Sequence, residues 1–257
     1  DRQDREVKIL TETTAMFTVS VLVAVLYVIF CGIQIIYLFG GGGELPAGVT
    51  YAEYARQGFF QLLVVCILNL GVLTMEHFFQ RNRAVDAVLT VISVCTIIMT
   101  ASSGWRMILY IRAYQLTFLR VVVLVALAVI TLLMAGTICY IWNRRFPLFQ
   151  YGMAVVCVSY VLFAFAHVDA GIAAYDLAQI ENGNTAGDYS YLSCLSTDAA
   201  PVIAEYLKEH PDKSYYGDGI YNWKWEYMQE NDRMNQPVTL RTFNLSYLRA
   251  KRIFSEK

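Results

Sequence analysis

Five long apolar runs dominate this chain, covering approximately residues 15–39, 59–75, 84–101, 118–142 and 148–167. Crossing the hydrocarbon core of a bilayer takes about 20 residues of helix, and all five runs reach or approach that length. Inside lipid every backbone N–H and C=O needs an internal partner, so long uninterrupted segments of this kind fold as helices. The expected architecture is all-α: a polytopic membrane helix bundle of five spans with a small helical extramembrane domain at its C-terminus. Composition agrees. Hydrophobic residues make up 57% and charged residues 16%, against about 25% charged in ordinary globular chains. The charges are unevenly placed, with 19 of 41 in residues 1–168 and 22 in the last 89. Three regions follow: a polar cytoplasmic segment over 1–14, the bundle over 15–168, and a Tyr- and Trp-rich exoplasmic helical domain over 169–257. The chain opens at Asp1 in a polar stretch that is no signal peptide, and it is expected to be processed or the later part of something longer.

Local signals refine the spans. Thr50 and Glu53 form a T-x-x-E capping box, which predicts a second helix from Tyr51 to about Phe79. The third helix is expected to continue to Tyr114, with Thr117 capping the fourth. Gly40–Gly43 with Pro46 reads as a linker and not as a phosphate loop, since no Gly-Lys-Ser/Thr follows. Orientation comes from the basic residues flanking the spans. Arg2, Arg5, Lys8, Arg81, Arg83, Arg144 and Arg145 fall on one side, and Arg56, Arg106, Arg112 and Arg120 on the other. No Lys or Arg occurs between Arg145 and Lys208. The N-terminus is therefore expected inside and the C-terminal domain outside.

On that topology the outer ends of the spans gather Glu53, Arg56, Arg106, Tyr110, Arg112, Tyr114, His167 and Asp169. These are the candidate ligand- or partner-binding residues. Glu53 and Arg56 lie three apart and can pair along one helix face. Arg106, Tyr110, Ala113 and Thr117 line up at helical spacing, with Arg112 on a different face. Two readings compete. Arg106 and Arg112 can snorkel to headgroups beside Trp105, Tyr110 and Tyr114. Alternatively, the cluster forms an outer polar pocket for an anionic group, with Glu53 bridging Arg56 and Arg106 across two helices.

Catalytic patterns are mostly missing. With His77, His167 and His210 as the whole histidine complement, no H-x-x-x-H or H-E-x-x-H is present, so no metal site and no cofactor are implied. G-x-S-x-G and S-x-x-K arrangements are absent as well. His167 with Asp169 reads as a hydrogen-bonding pair at a span end, and Asp169 and Asp176, seven apart, can share a helix face. Apart from Gln34 and Asn69, the span centres carry no amide or charge, which weakens a transporter reading. Cys31, Cys66, Cys95, Cys139 and Cys157 lie in the apolar runs and Cys194 in the tail, with no CxxC, which favours small apolar packing over redox chemistry. In the tail, Ala170–Ile180 reads as a helix closed by Asn182-Gly183-Asn184, and Ser196-Thr197-Asp198 as the cap of a helix through Ala199–Leu207. Tyr215–Gly219 reads as a turn, Trp223 to Tyr227 as helix, and Asn244–Phe254 as a last helix.

Several blocks together resemble a known family. Ile33 to Gly41 (IQIIYLFGG) followed by Tyr51 to Leu62 (YAEYARQGFFQL) is one; Arg106 to Thr117 (RMILYIRAYQLT) is a second. The second follows a pattern R-x-x-L-Y-x-x-x-Y-G-L-T, with Gln115 at the glycine. Tyr191-Leu192, Leu195 to Pro201 and Phe243 to Ser246 match the tail. The chain is similar, over nearly its whole length, to the bacterial membrane family of the domain-of-unknown-function 4153/4173 type. Asp169 and Asp176 stand where that pattern has Asn-Pro and Asn. The resemblance implies further spans upstream and brings no activity. Its motif positions include Glu53, Arg56, Arg106, Tyr110 and Tyr114.

The function this supports is a non-enzymatic membrane subunit or sensor-like regulator of the bacterial cell envelope, with an exoplasmic polar face for a ligand or partner. An integral-membrane enzyme acting on a lipid-linked or envelope substrate is the alternative, with Glu53 as base and Arg56 and Arg106 holding phosphate; a transporter component is a further one. The expected partners are membrane lipids and either a protein partner or N-terminal membrane segments beyond this chain. A net charge of −1 points away from nucleic acid.

Overall fold

The computed structural model describes residues 2–40, 83–183 and 190–210, together with 245, 246, 248, 249 and 252. Every regular element among them is helical. In chain order these are α1 (Arg2–Gly40), α2 (Arg83–Tyr114), α3 (Phe118–Trp142), α4 (Leu148–Phe165), α5 (Val168–Glu181), α6 (Ser190–Ser193), a 3₁₀ turn (Thr197–Ala199) and α7 (Ala200–Glu209). Four of them are long and apolar enough to cross a membrane: Phe17–Ile36 within α1, then α2, α3 and α4. The second apolar run at 59–75, the linker residues 41–46 and the expected elements at 215–227 lie outside the described residues.

The chain divides into two compact units, residues 1–110 with 123–160, and residues 111–122 with 161–257. In the first, α1 buries Ser20, Ala24, Tyr27, Cys31 and Gln34. Their four-three spacing makes one stripe along the helix, the seam geometry of packed helices. Leu22, Leu26, Ile29 and Ile36 are exposed, an apolar outer face suited to lipid. The polar segment expected at 1–14 is helical and continuous with this span. Its change of composition alters the solvent that the helix meets without breaking the backbone ladder.

Polar contacts set the directions of the helices. Cys31 Sγ donates to the Cys95 carbonyl at 3.4 Å, and Ser102 Oγ to Gln34 Oε1 at 3.1 Å. Positions therefore rise together along α1 and α2, which run parallel. Between α2 and α3 the order reverses. Thr131 Oγ1 donates to Thr100 Oγ1 at 3.2 Å, Trp142 Nε1 to Thr90 Oγ1 at 3.2 Å, and Arg144 Nη2 to Asp86 Oδ1 at 3.2 Å. Each partner on α2 moves back as its mate on α3 moves forward, so this pair is antiparallel. The interior of α2 is rich in hydroxyls, and these turn onto their own helix: Thr96 Oγ1 donates to Ile92 O and Thr100 Oγ1 to Thr96 O. A buried hydroxyl is satisfied in that way without a partner helix. Between α3 and α4, Tyr151 crosses over Gly136 and donates from Oη to Leu132 O at 3.0 Å.

The second unit has a small core of its own. Ile172, Ala173 and Leu177 of α5 meet Leu192, Leu195, Ala199, Ala200, Ile203 and Tyr206, with Leu116 and Val121 packed against them. Gly183, at φ +68°, ends α5 in the left-handed conformation that glycine adopts without a Cβ penalty. The helices read at Ala170–Ile180 and Ala199–Leu207 are present as α5 and α7, but Ser196-Thr197-Asp198 does not cap α7: Ser196 precedes a separate 3₁₀ turn and makes no side-chain cap hydrogen bond, and Ala199 stands at the N-cap of α7. The short α6 carries no cap or period that would have announced it.

Candidate functional site

Arg106 is a charged side chain on a helix that is otherwise apolar around it. It is 8% exposed, and its Nη2 donates to Gln34 Oε1, the amide oxygen that also accepts from Ser102 Oγ. Gln34 is itself buried at the end of the α1 seam. Two polar side chains of α2 thus converge on one amide oxygen of the parallel α1. Arg112, six residues further on, is exposed. Six residues turn a helix by about 600°, so a face that buries one arginine turns the other away. Arg106 is therefore buried and Arg112 exposed. Tyr110 is half-buried in the same unit as Arg106.

Tyr114, His167 and Asp169 lie in the second unit, where they make separate contacts. Tyr114 is 48% exposed and closes α2, and its carbonyl accepts from Arg120 Nη1 at 3.0 Å. Thr117 lies beyond the end of α2, so it is not part of a stripe with Arg106 and Tyr110; its carbonyl instead accepts the N–H groups of Arg120 and Val121 at the start of α3. His167 and Asp169 do not pair with each other, contrary to expectation. His167 precedes α5 in a left-handed conformation, with φ 46°, and its Nδ1 lies 3.3 Å from Asp198 Oδ2. Asp169 Oδ2 accepts the Ser196 N–H at 3.1 Å. A residue outside the helix and one in its first turn diverge, and tertiary neighbours take both. Glu53 and Arg56, and with them the proposed bridge to Arg106, lie outside the described residues.

A second polar arrangement surrounds the turn 115–117. Gln115 has φ 75°, and Arg120 Nη1 also donates to its carbonyl. Asp176, 2% exposed, accepts the Leu116 N–H on Oδ1 at 2.7 Å. Tyr191 Oη accepts the Phe118 N–H at 2.9 Å. Two amides that no helix can satisfy, one in a turn and one at a helix start, are thereby taken by side chains of α5 and α6. Gln115 Nε2 and Asp176 Oδ2 are buried with no hydrogen-bond partner among the described residues. Burial pushes the Asp176 carboxyl from 3.8 up to about 6, against the lowering effects of the Leu116 amide and the Arg120 charge. Among the described residues no group of three or more His, Cys, Asp or Glu side chains is placed to hold a metal ion.

Of these residues, Gln34 carried a signal in the sequence, as an amide in the centre of an apolar run. Asp176 carried a weaker one, its seven-residue spacing from Asp169. Nothing local points to the contacts of Tyr191 and Asp198, whose partners lie 73 and 31 positions away.

Parallel and antiparallel apolar helices of membrane-crossing length, joined by buried polar contacts, define a multi-pass helical membrane protein. The chain belongs to the family described as a domain of unknown function (DUF4153), whose model matches residues 1–206. No curated protein and no solved structure matches it.

Proposed function

We propose that this protein acts in the bacterial plasma membrane as a non-enzymatic subunit or sensor that binds an anionic group of a ligand or partner at Arg106. The N-terminus is cytoplasmic and the 169–257 domain exoplasmic, as the seven-to-four distribution of basic residues suggests. Five spans fit the parallel course of α1 and α2, because two spans entering from the same side take a return crossing between them.

The observation that carries the reading is the burial of the Arg106 guanidinium beside Gln34 and Ser102. A cation in a span is costly, and such residues mark binding and transport sites. The amide of Gln34 orients the guanidinium, and the flat donor fork of arginine matches carboxylate and phosphate oxygens. The test is to purify the protein and an Arg106→Gln variant in mild detergent and identify bound lipids and proteins by mass spectrometry. An anionic lipid or a protein retained by the wild type and lost from a folded variant supports the reading. Identical sets from the two would end it.

A further inference from the structure

We propose that α5 holds the turn between α2 and α3 through a proton-controlled latch, in which Asp176, buried with one oxygen on the Leu116 amide and the other without a partner among the described residues, docks more readily as the neutral acid than as the carboxylate. The geometry makes this contact a junction. Leu116 and Val121 pack against the core formed by α5, α6 and α7, and Asp176 and Tyr191 take the two amides at either side of Thr117. The apolar contacts are indifferent to pH, so the carboxyl is the element of the junction able to respond to it.

The chemistry at Asp176 is that of a carboxylate in an unfavourable place. It is 2% exposed, one oxygen accepts a single amide, and the other has no partner among the described residues. Ionised carboxylates are held down by several donors; this one has one. The elements packed around it carry Arg112 on α2, Arg120 on α3, Tyr191 on α6, Asp198 on the 3₁₀ turn, Glu205, Lys208, Glu209 and His210 on α7, and Asp169 and Glu181 on α5 itself. Of these, Arg120 alone exerts a charge effect on Asp176, and burial outweighs it. Arg120 is committed to the carbonyls of Tyr114 and Gln115.

The direction of the response follows. Released from the turn and exposed to water, Asp176 would titrate at its ordinary 3.8, and docked it titrates at about 6. Between about 4 and 6 the docked state holds a proton that the released state has lost. Docking therefore strengthens as pH falls through that window and weakens as pH rises through 6. A difference of about two units corresponds to a docking equilibrium changed on the order of a hundredfold. The latch works in this way on whichever side of the membrane the tail lies.

The test uses the full chain in mild detergent. Thermal unfolding of the wild type and of Asp176→Asn is followed from pH 4 to 8. The amide keeps the acceptor for Leu116 and mimics the neutral acid, so the variant is expected to match the wild type near pH 4.5, exceed it at pH 7.5, and show a flatter profile. Parallel profiles overturn the latch. Hydrogen exchange of the peptide covering 115–118 in the wild type, corrected for the intrinsic pH dependence of exchange, reports the junction without a substitution. Protection that falls between pH 5 and 7.5 supports the latch, and constant protection overturns it even where Asp176→Asn does not fold.

Discussion

Arg106 and Gln34 meet across two parallel helices, the guanidinium donating to an amide oxygen that Ser102 also uses. The amide orients the cation and joins α1 to α2 at a point where both side chains are buried. Replacing Gln34 with Leu keeps the volume and removes the acceptor. Hydrogen bonds to charged groups contribute about 1.5–3 kcal/mol, so a loss of that size is expected in thermal unfolding in detergent. Gln34→Glu, which keeps an acceptor and adds a complementary charge, is expected to retain stability. A Gln34→Leu variant as stable as the wild type would show that the contact carries no weight.

A steric prediction concerns Gly136 and Tyr151. The Tyr151 ring occupies the space in which a Cβ at position 136 would stand, and its hydroxyl is tied to Leu132 O. The ring is also packed against Phe146, with centroids 5.2 Å apart, so it has little room to yield. Gly136→Ala is expected to destabilise by about 1–3 kcal/mol, the range for overpacking. The same substitution in a Tyr151→Ala background should cost little, because the obstructing ring is gone. Equal losses in the two backgrounds, measured as shifts in melting temperature, would place the strain elsewhere.

Four of the five apolar runs are legible as membrane-length helices, because lipid imposes a demand on sequence that water does not. The apolar run read at 118–142 coincides with α3 at both ends, and Thr117 was placed just before it. Where composition and backbone part company, the reading slipped. The helix of α1 extends back to Arg2 through a charged segment, because Glu, Lys, Leu and Arg favour helix in water as well. Pairings distant in sequence were hidden. Proximity in sequence pairs Asp169 with His167, two positions away, while the fold brings Ser196 to Asp169 and Asp198 to His167. Gln34 stood out as an amide in an apolar run, but its role required knowing that α1 and α2 lie side by side.

Gln115 offers a prediction about backbone strain. Its φ of 75° lies in the left-handed region, which costs an L residue roughly 1–2 kcal/mol, and its side-chain Nε2 is buried without a partner among the described residues. Glycine, which the related sequence pattern has at this position, relieves the backbone term. Gln115→Gly is expected to be more stable than Gln115→Ala by about 1 kcal/mol, since both lose the same side-chain contacts and only alanine keeps the Cβ. The comparison is read from melting temperatures of the two variants. Alanine equal to or better than glycine would mean that the turn relaxes to a negative φ.

The orientation of the tail is open to a direct chemical test at Cys194. This residue is exposed in the second unit, and it lies within a stretch from 146 to 207 that contains no Lys or Arg. Cytoplasmic flanks are enriched in those residues, so a flank without them is more readily translocated. Cys139 and Cys157 are exposed as well, but they lie on α3 and α4, within the spans, where a charged maleimide does not partition. Adding a membrane-impermeant maleimide to intact cells should therefore modify Cys194, and Cys194→Ser should abolish the labelling. Protection of Cys194 until the membrane is permeabilised would place 169–257 in the cytoplasm. The Asp176 latch would then respond to cytoplasmic and not to external pH.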